Sequence, residues 1–422
     1  MNASRRRALQ ALASAGLASL LPLRASGAAG ARVVVVGGGF AGATAAKYLR
    51  LWDPGVSVTL VEANREFVSC PVSNRVIAGT MSLRDITRNY DGLTAHGVRV
   101  THDTATDIDP VKRVVKLGRG ESLGYDRLIL APGIDFLYDR LPGLESAAAR
   151  AQVPHAWKAG DQTMDLRKRI FALRPGGVFA MHVPKAPYRC PPGPYERATM
   201  VAFALQRANP RAKVLVFDAN PDVVAKRDQF RAVWESRYKG MIEYLPSAEL
   251  AAVDAAAQTL KLEAYGAVKA DVLNIIPPQA AGPLARRSGL VGAGGRWCEV
   301  DFLSYESKVA PGVHVIGDAV GAAPGMPKSG HMANQHGKVC AAAVLALLNG
   351  QPVNDEPIII NTCYSFVGER EVIHVTSVHR YDREKKTMVT VPGASGVSPQ
   401  PNAEEGYLAL AWAFNILNDT FG

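Results

Sequence analysis

The run Gly37-Gly38-Gly39-Phe40-Ala41-Gly42 follows the β-branched segment Arg32 to Val36. An Ala-rich helical stretch, Ala43 to Leu51, comes next, and then a second strand, Val56 to Val61, which closes on Glu62. This order restricts the chain more than any other feature. A G-x-G-x-x-G run alone says little, but set between a strand and a helix, with an acid twenty residues beyond Gly42, it specifies a βαβ dinucleotide-binding unit. Gly37, Gly39 and Gly42 let the backbone approach a pyrophosphate at the helix N-terminus, and Glu62 can accept hydrogen bonds from a ribose.

A chain of 422 residues exceeds one ordinary core. Leu128 to Gly133 reads as a buried strand ending in a tight turn at Gly133, and Val313 to Ala319 as a second such strand carrying Asp318. In flavoproteins with two dinucleotide domains, strands of these types flank FAD, and an acid placed like Asp318 hydrogen-bonds the ribitol. The middle segment has strand-like runs at Val178 to Val183 and Lys213 to Asp218. Where a nicotinamide domain would carry a second glycine loop, it has Pro184, Pro187, Pro191, Pro192 and Pro194. Prolines have no N–H to offer a phosphate, so NAD(P) binding is not expected. A helix resumes from Tyr195 to Ala208.

The expected fold class is α/β: two dinucleotide-binding-type domains, as in a glutathione-reductase-like flavoprotein, plus a smaller α+β C-terminal domain. The expected boundaries are an export signal over 1–30, a discontinuous FAD domain over 31–152 and 267–352, a second Rossmann-like domain without an NAD site over 153–266, and a C-terminal interface domain over 353–422. That last segment reads as two strand-like runs, Val372 to Val378 and Thr387 to Val391, and a terminal helix.

The leader begins Ser4-Arg5-Arg6-Arg7, passes through an apolar run and reaches small residues at Ala25 to Ala29. It reads as a twin-arginine export signal and implies a periplasmic protein. Four of the 48 basic residues lie in this leader, which leaves 44 against 38 acids, a net of +6. No block of like charge stands out, so nucleic-acid binding has no support. No long apolar stretch follows the leader, so no membrane span is expected.

Cys340 lies in an Ala-rich helical run and reads as a buried small hydrophobe, and Cys298 has no evident partner. Cys190 and Cys363 differ, because they fall in separate domains and in turn-forming or inter-domain contexts. From the residues alone, a structural bridge and a redox role stay equally open. No Cys-x-x-Cys-His occurs, so any haem must belong to a partner.

Several segments together resemble the flavoprotein subunit of flavocytochrome c sulfide dehydrogenase. They are the glycine loop, Cys70-Pro71-Val72-Ser73-Asn74, Pro154 to Gly160, Tyr188 to Arg197, Met326 to Gly330 and Asn361-Thr362-Cys363-Tyr364-Ser365. The Cys190-Pro-Pro-Gly-Pro-Tyr-Glu196 run is the most specific of them. The resemblance implies FAD held covalently through Cys70, a redox-active disulfide between Cys190 and Cys363, and a c-type cytochrome subunit as electron acceptor in a heterodimer. It implies sulfide as substrate, oxidised to zero-valent sulfur or polysulfide.

Hydrosulfide is a nucleophile and a disulfide the electrophile it attacks, so the chemistry is coherent. Glu196, one turn from Cys190, is the expected proton carrier for the thiols, and Lys328, beside a helix start near Ser329, the expected cation near the reduced flavin. The alternatives are a sulfide:quinone oxidoreductase and an accessory thiol-exchange flavoprotein of a thiosulfate-oxidising system. The tail from Asn402 to Gly422 has no Lys or Arg, which disfavours contact with anionic lipid. Its apolar residues are expected to serve the core or a protein partner.

Overall fold

The computed structural model describes residues 30–422, so the leader with its arginines lies outside the described residues. The glycine loop opens a five-stranded parallel sheet. Its order is Val313–Val315, Arg127–Leu130, Arg32–Val36, Ser57–Val61, Arg99–Thr101. The central strand pairs Val35 with Leu60 on one side and with Ile129 on the other. These strands are apolar almost throughout because both faces of the sheet are covered. Helices Phe40–Trp52 and Gly330–Leu348 pack together, and Gly337 lets them meet: a Cβ there would lie 2.6 Å from the Ala41 carbonyl oxygen. Ile108, Val115 and Leu117, from the antiparallel meander Ala105–Asp109, Val114–Leu117 and Ser122–Gly124, complete the same core.

A second parallel sheet follows the order Ile242–Leu245, Lys213–Asp218, Val178–Val183, Val272–Ile275. Successive side chains of its strands point to opposite faces. Phe179, Met181 and Val183 therefore meet helices Asp161–Phe171, Gly193–Ala208 and Arg227–Ser236. Ala180 meets a second meander, Leu250–Asp254, Thr259–Leu262 and Gly266–Lys269. Each sheet thus carries helices on one side and a three-stranded meander on the other. The return to the first domain falls later than the expected residue 267. Val272–Ile275 pairs with Val178–Val183 from Phe179↔Val272 to His182↔Ile275, so this strand belongs to the second sheet.

The C-terminal segment forms an antiparallel sheet of Ile358–Phe366, Val372–Asp382 and Thr387–Thr390. Its first strand is absent from the sequence expectation, and Cys363, expected in a turn-forming or inter-domain context, sits mid-strand opposite Val375. Ile358, Ile359, Ile360, Thr362, Tyr364 and Phe366 all favour a strand, and Asn361 alone of the run is a poor strand former.

The helix Ala403–Phe421 then runs back to the first domain. Asn402 caps it by accepting from the Glu405 N–H (2.8 Å). Its far end seats Phe421 against Phe67, Tyr90 and Phe40, with ring centroids 4.8, 5.9 and 6.4 Å apart. The Thr420 and Thr44 hydroxyls lie 3.2 Å apart, and Lys338 Nζ stands 2.9 Å from Asp419. Among the described residues, no helix is long and apolar enough to cross a membrane.

Because Phe421 fills an aromatic pocket behind the glycine-loop helix, Phe421→Ala should destabilise the protein by about 3–5 kcal/mol. Denaturant unfolding would measure it; a change under 1 kcal/mol would show that the pocket does not depend on this ring.

Candidate active site

The glycines of the loop differ in what they permit. A Cβ on Gly42 would fall 1.9 Å from the Gly37 carbonyl oxygen, so only glycine allows helix and loop to touch there. Gly37 has φ +102°, and a Cβ on it would strike the Ala131 carbonyl oxygen at 2.2 Å. Gly39 faces nearly open space, with only Phe67 at 3.9 Å, and no side chain caps the helix it starts. An uncapped helix N-terminus beside that space is a site for a pyrophosphate. Glu62 lies at the end of the neighbouring strand, where Oε2 accepts from the Gly38 N–H (2.7 Å) and Oε1 from Asn64 N and Nδ2 (2.9 and 2.8 Å).

A groove of about 560 Å³ runs from this loop past Gly133 and Asp318 to Cys70 and Arg189. Asp318 sits in a short turn, Gly317–Ala319, and burial pushes its carboxyl above the usual range, opposed by Arg189 and Lys328. Arg189 Nη1 stands 3.9 Å from it. Lys328 does not line this groove. Its ammonium donates to the carbonyls of Asp318 (3.0 Å) and Val320, and lies 3.8 Å from the Trp297 ring centroid, supporting the turn that presents Asp318. Burial lowers its pKa to about 8.

Cys70, Pro71, Arg189 and Gly330 also line an adjoining cleft of about 740 Å³, and there Cys190, Cys363 and Glu196 come together. The described residues fit a flavin dinucleotide: a glycine cradle for the pyrophosphate, acids at the strand ends, and a cleft with three cysteines at its far end.

Cys190 precedes helix Gly193–Ala208 with a left-handed φ of 58°, and its N–H donates to the Lys328 carbonyl (2.8 Å). A Cβ on Gly193 would lie 2.8 Å from Cys190 Sγ, so this glycine makes room for the thiol. Cys363 comes from the C-terminal strand. Both are free thiols here, and burial raises the pKa of each. Cys298 and Cys340 are buried in the first core, away from the cleft.

Glu196 is buried. Its carboxylate accepts from Asn74 Nδ2 (2.9 Å) and from the Phe366 N–H (2.9 Å), and desolvation raises its pKa.

Several site residues had escaped the sequence reading. Arg189 donates to Cys70 Sγ (3.6 Å) and to the Trp157 carbonyl, and its place next to Cys190 was the available clue. Lys226 donates to Cys363 O (2.8 Å), Ser365 Oγ (2.7 Å) and Ile373 O (3.0 Å), and no local pattern marks it. Asn361 presents Nδ2 to Cys363 Sγ (3.4 Å). His331 Nδ1 accepts from the Thr362 N–H (3.0 Å), and burial lowers its pKa to about 4, so it is neutral.

Fold and site together define a flavin-dependent oxidoreductase of the pyridine nucleotide-disulphide oxidoreductase type, and the family model of that description matches residues 31–172. The models for the sulfide dehydrogenase [flavocytochrome c] flavoprotein chain, central part, and for the flavocytochrome c sulphide dehydrogenase flavin-binding part match residues 163–277 and 355–421. The chain belongs to the family of flavocytochrome c sulfide dehydrogenase flavoprotein chains.

It is 69% identical over 45 residues to that flavoprotein chain from Chlorobaculum thiosulfatiphilum, covering 11% of this chain and 94% of that sequence. It is 22% identical over 339 residues to the mitochondrial sulfide:quinone oxidoreductase of Mus musculus, covering 76% and 72%. Its fold is similar to that of the sulfide:quinone oxidoreductase of Aquifex aeolicus, with a TM-score of 0.76 at 17% identity over 92% and 91% of the two chains.

If the loop cradles a flavin pyrophosphate, Gly42→Ala should give folded protein with little bound flavin, because the new methyl must displace the Gly37 carbonyl. Flavin absorbance per protein after gel filtration checks this; wild-type occupancy would contradict it.

Proposed function

We propose that this protein oxidises hydrosulfide at a Cys190–Cys363 disulfide and passes two electrons through FAD to a c-type cytochrome. One observation carries the reading: two cysteines from distant segments line one cleft, and Cys70 stands where that cleft meets the glycine-loop groove. Gly37, Gly39, Gly42, Glu62, Gly133 and Asp318 would hold the dinucleotide, Cys70 would bind the ring covalently, and Lys328 would brace the Asp318 turn. FAD, when bound, supplies the two-electron acceptor.

The chain's own residues do the rest. The mainly apolar cleft brings substrate sulfur to the pair, and Arg189 offers an anion a cation at the boundary between the two cavities. Glu196, kept less acidic by burial, can carry a proton for the thiols.

A nicotinamide donor does not suit the second domain. Asp218, at its strand end, already accepts from the Tyr195 and Tyr244 hydroxyls (2.7 and 2.9 Å), and the preceding loop is proline-rich. The arginine-bearing leader supports a periplasmic site of action.

A cytochrome partner suits the terminal helix. Its apolar residues divide between core, with Ile416 and Leu417 buried, and surface, with Tyr407 70%, Leu408 53% and Phe414 38% exposed. That outer strip has no Lys or Arg for anionic lipid. It also favours one second reading, in which a quinone takes the electrons, and comparing cytochrome c with a quinone analogue as acceptor separates the two.

Cys190→Ser and Cys363→Ser should each keep flavin and fold but lose sulfide-dependent flavin reduction, since a lone thiol offers no electrophilic sulfur. Stopped-flow reduction with sulfide measures this, and near-wild-type reduction by either variant overturns the reading. Acid-precipitated wild-type protein should stay yellow, while Cys70→Ser should release its flavin into the supernatant. Full release from the wild type would remove Cys70 from its role.

A further inference from the structure

The second domain sends one residue across to the C-terminal sheet. Lys226 follows the loop after strand Lys213–Asp218 and adopts a left-handed conformation (φ 56°, ψ 40°) at the start of helix Arg227–Ser236. A lysine held there, with its ammonium buried, is strained twice, by backbone and by desolvation. Its three N–H bonds go to Cys363 O, Ser365 Oγ and Ile373 O. The charge is thereby fixed between the strand that carries Cys363 and its neighbour. Bracing two strands needs no cation, since a neutral amide could donate to one acceptor on each of them.

We propose that Lys226 is a positioning residue for sulfide oxidation, whose fixed ammonium stabilises the thiolate that Cys363 becomes when the Cys190–Cys363 bond opens. The proposal rests on the disulfide reading above and assigns each sulfur a part. Hydrosulfide attacks Cys190 Sγ, a new S–S bond forms, and the Cys190–Cys363 bond breaks with its electron pair left on Cys363 Sγ. Cys190 then carries the –S–SH group with the proton that hydrosulfide brought. One negative charge enters and one remains, so the step needs no other reactant. Disulfides open toward the better leaving thiolate, which makes the surroundings of the two sulfurs decisive.

Those surroundings are unequal. Around Cys363, Ser329 Oγ donates to Asn361 Oδ1 (2.6 Å), and Asn361 meets Cys363 Sγ through Nδ2 (3.4 Å) and Oδ1 (3.6 Å), so a thiolate there can accept from Nδ2. Lys226 adds the charge. Burial raises the Cys363 thiol and Lys226 opposes this most strongly, while Glu196 works against the thiolate.

Around Cys190, Arg189 and Lys226 favour the thiolate, but Cys363 and Glu196 oppose it and burial dominates. The helix start beside Cys190 gives little help: Pro191, Pro192 and Pro194 lack N–H groups, and the Gly193 N–H is spent on the Cys190 carbonyl (2.9 Å). Neutral His331 adds no charge to the cleft. Lys226 itself is lowered to about 8 by burial, with Cys363, Glu196, Cys190 and Glu405 pulling it back up. It is therefore charged below about pH 8.

The test uses a Cys190→Ser background, where Cys363 remains a thiol and no disulfide or turnover is required. Iodoacetamide labelling of Cys363, followed by peptide mass as a function of pH, reads its thiolate fraction. Adding Lys226→Met should raise the midpoint by at least one pH unit, which is about tenfold slower labelling at pH 7. Lys226→Gln, which keeps two N–H donors without charge, should behave as Met does, and Lys226→Arg should restore the midpoint. Bound flavin and thermal melts identify any variant that misfolds, and Gln stands in for Met in that case. An unchanged midpoint in the folded neutral variants overturns the proposal. Loss of the disulfide reading would appear separately, as sulfide reduction surviving in Cys190→Ser.

Discussion

A guanidinium with almost no exposure must find an acceptor for its N–H groups, and Arg197 finds them by gathering separate parts of the chain. It donates to the carbonyls of His155 (2.7 Å) and Ala156 (2.6 Å) and to the side chains of Asn274 (3.2 Å) and Asn74 (3.1 Å). Asn74 lies four residues after Cys70, Asn274 lies on the second sheet, and Arg197 itself lies seven residues after Cys190. The same Asn74 donates to Glu196. Both the wall that carries Cys70 and the helix that follows Cys190 therefore depend on one buried cation. Leaving those partners unpaired would cost more than any surface ion pair here returns.

Around this hub the second domain keeps the outline of a nucleotide-binding unit and uses its parts differently. The loop after the first strand, where glycines would receive a phosphate, instead carries Cys190 among prolines. The acid at the end of the second strand is closed over by two tyrosine hydroxyls, and the loop beyond it delivers Lys226 to the C-terminal sheet. The strand-end acid is thus bonded to tyrosines, and the loop beyond it to the strand that carries Cys363.

The sequence made much of this legible, for definite reasons. The glycine loop was readable because steric limits at Gly37 and Gly42 leave no other residue possible. The two parallel sheets were readable because strands covered on both faces must be apolar. Cys190 and Glu196 could be paired because they lie six residues apart, just before and within the first turn of one helix. The strand around Cys363 was readable in its Ile, Thr, Tyr and Phe residues, with Asn361 the one poor strand former; what the residues did not show is its antiparallel pairing with Val372–Asp382. The domain return at Val272–Ile275 was misplaced because a buried parallel strand reads alike in either sheet. Lys226 was invisible because its partners lie 137, 139 and 147 residues away. No local pattern encodes such a reach.

The threonine pair that ties the terminal helix to the glycine-loop helix spans 376 positions. A ribosome therefore releases the loop long before it makes the segment that packs behind it. Until Phe421 arrives, the aromatic cavity beside Phe40 and Phe67 stands open to water, so the nucleotide cradle has its glycines but not its backing. High contact order of this kind delays folding until the distant partner is present. Cofactor capture then waits for the segment that carries Phe421 rather than for emergence of the glycine motif.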